Sequence, residues 1–179
     1  MNRSPSTPRG FTLVEIGVAL AILAILTVIA VPSYRDSVDK SRLRAAVEAL
    51  HADLQNARST TQQQKAAVTA VFSTGTSWCY GITATKPTCS CAQVDPAQAD
   101  FCELRVVRAA DVKNATLTAA DFGGSPFTSF EPVRGTATAG SVTVTSGLGK
   151  IATISVSALG RVATCSPAGA GNTDLFPAC

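Results

Sequence analysis

Histidine is nearly absent from this 179-residue chain: His51 is the only one. No nucleophile motif stands beside it, so the acid–base and metal-binding roles that imidazole most often fills have no obvious carrier. No glycine-rich phosphate loop follows a strand-like run, and Asp100 and Glu103 make no recognisable acid pair. Charge is also sparse and nearly balanced, with 15 Lys and Arg against 12 Asp and Glu, a formal net charge of +3. Bulk charge therefore implies no strongly basic binding surface. These absences predict no catalytic residue, no cofactor and no metal. The longest absence is the most informative one. From Phe11 to Val31 the only charged residue is Glu15.

A helix over that run, at about 1.5 Å per residue, covers roughly 30 Å, the thickness of a bilayer's hydrocarbon core. The run is thus long enough to span a membrane. A carboxylate inside such a span costs about 2.5 to 3.5 kcal/mol on insertion scales and normally has a partner. Before the run lies a short basic leader with Arg3 and Arg9, ending in Gly10. Gly10, Phe11 and Glu15, followed by Leu20, Leu23 and Leu26, resemble the class III signal of type IV prepilins and type II secretion pseudopilins. The resemblance implies a leader over residues 1–10 that prepilin peptidase cleaves between Gly10 and Phe11, with N-methylation of the new terminal Phe11. It also implies that Glu15, at the fifth mature position, pairs with the terminal ammonium of a neighbouring subunit during assembly. Taking Arg3 and Arg9 from the 15 basic side chains leaves 13 against 12 acidic ones, so the mature chain is close to neutral.

Pro32 ends the apolar run. Inside a helix proline removes a hydrogen bond, at about 3 kcal/mol. A kink or local unwinding is expected there, as the family resemblance also implies; alternatively one helix ends and Ser33 caps another. Beyond it Leu43, Val47, Leu50, Leu54 and Ala57 recur at alternating spacings of four and three, one apolar stripe of an amphipathic helix. Arg42, Arg44, Glu48, Asp53 and Arg58 fall mostly on the other faces, and His51 lies off the stripe as a surface residue. After Gln64 the pattern becomes strand-like. Runs 67–72, 78–83, 103–108, 141–145, 150–156 and 161–164 are rich in Val, Ile and Thr and are punctuated by Gly and Pro. The expected segments are residues 11–31 as membrane and filament-core helix, 32–64 as amphipathic helix, and 65–179 as a periplasmic β-rich domain. The fold class is α+β and pilin-like, a long N-terminal helix packed on antiparallel sheet with a disulfide-stapled C-terminal region.

Six cysteines, Cys79, Cys89, Cys91, Cys102, Cys165 and Cys179, all follow the span. An even count suits an oxidising compartment. Cys165 and Cys179 enclose a Pro- and Gly-rich segment with little means of ordering itself, and a bond between them would contribute about 3 kcal/mol in the chain-entropy picture. The other four are expected to pair among themselves around the 86–100 insertion, with their three pairings open. The Cys89-Ser90-Cys91 spacing is not that of a zinc site.

The Arg-Ala-Ala-Val-Glu-Ala-Leu helix start, Asn56-Ala57-Arg58, Trp78-Cys79-Tyr80-Gly81, Arg134-Gly135 and Leu159-Gly160-Arg161-Val162 together resemble the H-type pseudopilins and the FimT/FimU minor pilin group. The resemblance implies a minor subunit of a type IV pilus tip or priming complex, or alternatively an H-type pseudopilin of type II secretion. Its partners would be prepilin peptidase, other minor pilins or pseudopilins, the major pilin, and the inner membrane before assembly. A third alternative is DNA capture, with Arg134, Lys150 and Arg161 as phosphate contacts and Arg105 and Arg108 near them. Against it, the Gly-Arg-x-Arg motif of DNA-binding relatives is incomplete, because Ala163 stands at its second arginine.

Overall fold

The structure, a computed structural model, describes residues 10, 12–169 and 171–179. Phe11 and the leader arginines lie outside the described residues. A helix α1 (Leu13–Gln64) precedes strands β1 (Val68–Ser73), β2 (Cys79–Thr83) and β3 (Arg105–Arg108), a 3-10 turn at Ala109–Asp111, then β4 (Ala115–Asp121), β5 (Phe127–Phe130), β6 (Gly140–Ser146), β7 (Ile151–Val156) and β8 (Val162–Cys165). The chain forms two compact units, with the boundary between Ser37 and Val38.

In the first unit α1 starts after Thr12, whose hydroxyl accepts the Glu15 backbone N–H at 3.2 Å. This is the N-cap pattern of a threonine serving the third residue of the helix. Large apolar side chains point outward all round this segment, from Leu13 at 89% exposed to Val31 at 45%. Pro32 lies inside α1, so Ser33 does not cap a second helix.

The second unit is built on the stripe. Leu43, Val47, Leu50, Leu54 and Ala57 are all buried, and Asp39 and Thr61 extend the same face. At roughly 1.5 to 3 kcal/mol for each large aliphatic side chain removed from water, this face anchors α1 to the domain. It meets two antiparallel sheets, ordered β3-β2-β1-β5 and β4-β6-β7-β8, in one core. Val68, Ala70 and Phe72 of β1, Ile154 and Val156 of β7, and Phe122 and Phe130 fill it, with Phe72 and Phe122 stacked at 5.5 Å between ring centroids. Asp39 reaches the turn between β6 and β7, where the Ser146 hydroxyl and the Leu148 N–H both donate to its Oδ2.

Two strands differ from the sequence expectation. β4 has a register shift between Leu117 and Ala119, which breaks the alternation on which strand recognition depends. β5 is only four residues long, yet it pairs with β1 and buries Phe130 fully.

Candidate functional site

Around Glu15 the described structure offers a carboxylate in the first turn of an exposed apolar helix. Ile16, Ala19, Leu20 and Leu23 form a shallow apolar groove beside it. A negative side chain at the N-terminal end of a helix is favoured by the helix dipole. Such a continuous apolar surface needs a lipid or protein cover, and the single carboxylate within that cover needs a cation. Gly10 sits just ahead of α1, and a Cβ built on it would meet nothing within 4 Å.

A second layer covers the outer face of the first sheet. Cys79 pairs with Cys91, Cys89 with Cys102, and Cys165 with Cys179. The first two bonds pack with Val71, Val106 and Phe127 into their own apolar cluster. This layer explains why β2 is buried at every position and β1 at five of six: each strand is covered on both faces. The cystine layer is fastened by Glu103. Its Oε1 accepts from the Ala84 N–H at 2.7 Å, the Thr83 hydroxyl at 2.9 Å, and both the N–H and the hydroxyl of Thr85 at 3.0 Å. Partial burial opposes ionisation of Glu103, but these donors outweigh it and lower its pKa to about 2.

The basic side chains named for the DNA alternative do not all lie together. Arg105 donates to Asp53 Oδ2 at 3.1 Å, and Tyr80 donates to the same oxygen at 2.8 Å. The carboxylate's charge raises the pKa of Arg105; burial, with the bond to Asp53 next, raises that of Tyr80. Asp53 is therefore a pinned bridge between α1 and the first sheet rather than a freely solvated residue. Arg108 donates through Nη2 to the Gln93 carbonyl at 2.6 Å. Lys150 and Arg161 flank opposite ends of β7, a six-residue strand that spans about 20 Å at 3.3 to 3.4 Å per residue. Lys150 instead donates to the Asn172 carbonyl at 3.4 Å.

What the fold does bring together is Arg58, Arg134 and Arg161. Arg58 of α1 donates through Nη2 to the Leu159 carbonyl at 3.4 Å, across 101 positions of sequence. The turns carrying Arg134-Gly135 and Leu159-Gly160-Arg161 touch: Ala137 N–H donates to Ala158 O at 3.1 Å, and a Cβ on Gly160 would lie 2.2 Å from the Gly135 carbonyl oxygen. From the sequence Arg58 is a polar-face residue of the helix and part of the Asn56-Ala57-Arg58 motif, with nothing to place it against Leu159. Arg134-Gly135 and Gly160-Arg161 carry the local signal, since glycine favours tight turns and both glycines adopt positive φ here. Among the described residues, no group of three His, Cys, Asp or Glu side chains is placed to hold a metal ion. His51 is half-buried, with Nε2 3.1 Å from the Gln55 amide nitrogen.

No curated protein sequence matches the chain. The fold is similar to the crystal structures of the type IV minor pilin FimU of Pseudomonas aeruginosa. In space group P21 the identity is 22% and the TM-score 0.51, covering 73% of this chain and 96% of that one; in P65 the values are 20%, 0.48, 70% and 98%. The prokaryotic N-terminal methylation motif matches residues 6–31. Residues 46–160, more than half of the chain, match the family described as type II transport protein GspH, and the chain belongs to that family.

Proposed function

We propose that this chain is a minor structural subunit of a type IV pilus, working in the tip or priming complex beside other minor pilins and the major pilin. The observation that carries the proposal is the joining, in one chain, of the methylation motif over residues 6–31 to a GspH-family domain. In this reading prepilin peptidase cuts between Gly10 and Phe11 and methylates Phe11. Residues 11–31 then hold the chain in the inner membrane, with residues 32–64 and 65–179 on the periplasmic side. As the subunit enters the filament, apolar packing replaces lipid around the 11–31 helix. Glu15 then meets the terminal ammonium of its neighbour, an attraction worth far more in a low-dielectric surrounding than in water. Pro32 is the place where the helix bends or unwinds to fit the filament. Intact mass measurement of the protein from cells tests the processing step: loss of residues 1–10 with one added methyl group is expected, and an uncut or differently cut chain overturns it. Replacing Gly10 should leave the leader attached.

The alternative is an H-type pseudopilin of type II secretion, which the family description favours; the likeness of the fold to FimU favours the pilus. Deleting the chain from its host separates them, since the first predicts lost exoprotein secretion and the second lost pili. DNA capture is the weaker reading, because Arg105 is engaged by Asp53 and Lys150 stands a strand length away from Arg161. Titration of the protein with duplex DNA at low and moderate salt should show no salt-sensitive binding.

A further inference from the structure

The 131–136 and 157–161 turns repeat one chemical pattern, an aliphatic side chain beside an arginine: Val133-Arg134 and Leu159-Gly160-Arg161. Val133 is 90% exposed and Leu159 75%, the highest values among the large hydrophobic residues described in the Val38–Cys179 unit. Arg134 and Arg161 are exposed beside them, and Glu131 is the one carboxylate in either turn.

These turns are not loose. Glu131 N–H donates to Thr136 O at 2.8 Å and Gly135 N–H to Glu131 O at 3.0 Å. In the other turn Ser157 N–H donates to Arg161 O at 2.9 Å, Gly160 N–H to Ser157 O at 2.8 Å, and Arg161 N–H to the Ser157 hydroxyl at 3.1 Å. Arg58 holds the second turn to α1, and the Ala137–Ala158 bond holds the two turns together. Exposed aliphatic side chains on a braced backbone lose little further backbone freedom when a partner covers them. Arginine is enriched at interfaces and among their hot spots, and covering the two aliphatic side chains would add the burial of apolar surface to its contacts.

We propose that the paired turns form a docking surface for a neighbouring pilin-type subunit that presents carboxylates beside apolar side chains. This rests on the reading of the chain as a filament subunit. The charge of the two turns selects an acidic face, and the two aliphatic side chains select a protein. A nucleic acid backbone would engage the guanidinium groups and leave Val133 and Leu159 in water, and the other cations that a phosphate track requires are engaged or distant.

Photo-crosslinking in filament-producing cells tests this, with benzoylphenylalanine placed in the full chain at position 133 or 159 and, as a control, at the exposed Ser73. The expected result is adducts at 133 and 159, absent at 73, whose partner peptide comes from another chain with the same leader motif and contains Asp or Glu. The double substitution Arg134→Glu and Arg161→Glu should reduce those adducts at least tenfold, and changing the contacted carboxylate to lysine should restore them. Adducts to DNA, lipid or an unrelated protein, or adducts indifferent to the charge reversal, overturn the proposal. If the chain is present in the sheared filament fraction but forms no adduct, the docking surface fails and the subunit reading stands. If the wild-type chain is absent from that fraction, both fail.

Discussion

Gly81 shows how one missing side chain organises a whole layer. A Cβ there would lie 2.3 Å from Cys102 Sγ and 3.2 Å from Cys91 Cβ, so the two cystines close over β2 only because this position is bare. Gly81→Ala should lower the yield of protein with the Cys79–Cys91 and Cys89–Cys102 pairs, measured by peptide mapping without reduction; an unchanged map at wild-type yield would contradict this account. Glu103 gives a pH signature. Its folded pKa of about 2 is below the ordinary glutamate value of about 4.3. Its contribution to stability is therefore complete above about pH 4.3 and lost as pH falls toward 2. Glu103→Gln should lower the urea midpoint at pH 6 by more than at pH 2. A difference that does not change with pH would show that the donors around Oε1 do not favour the ionised form.

At the scale of elements, α1 is one helix written in two patterns. Its first part is apolar on every side and exposed; from Asp39 onward only one face is buried. Leu50→Ala, on the buried stripe, should cost about 2 to 5 kcal/mol of domain stability. Leu20→Ala, at a site 61% exposed, should leave the unfolding midpoint in detergent unchanged. Replacing Cys165 and Cys179 by serine should cost about 3 kcal/mol, as expected for freeing a loop of roughly 15 residues, with the difference read from denaturant melts. The stripe was legible because helical periodicity is local, and six strand runs were legible from β-branched composition. β4 and β5 were not, because a register shift in one and the shortness of the other erase the alternating pattern. The cysteine pairs around the insertion and the meeting of Arg58 with Leu159 depend on strand order, which no local window of sequence records.

The whole molecule joins an apolar helix that carries one carboxylate to a domain whose own apolar surface is largely enclosed. The exposed aliphatic residues of that domain include the pair at the Arg134 and Arg161 turns, so the chain offers two surfaces that gain from a cover: the 13–31 helix and these turns. Membrane lipid can cover the helix but does not match Glu15 with a fixed cation; in the proposed reading the terminal ammonium of a neighbouring subunit would. The central claim is thus that Glu15 belongs to assembly. The direct measurement is the amount of this subunit in sheared filaments, set against its amount in membranes, for wild type and Glu15→Ala. The account predicts that the variant is cleaved and held in the membrane at wild-type level but is depleted at least tenfold from filaments. Equal incorporation of the two proteins would contradict it.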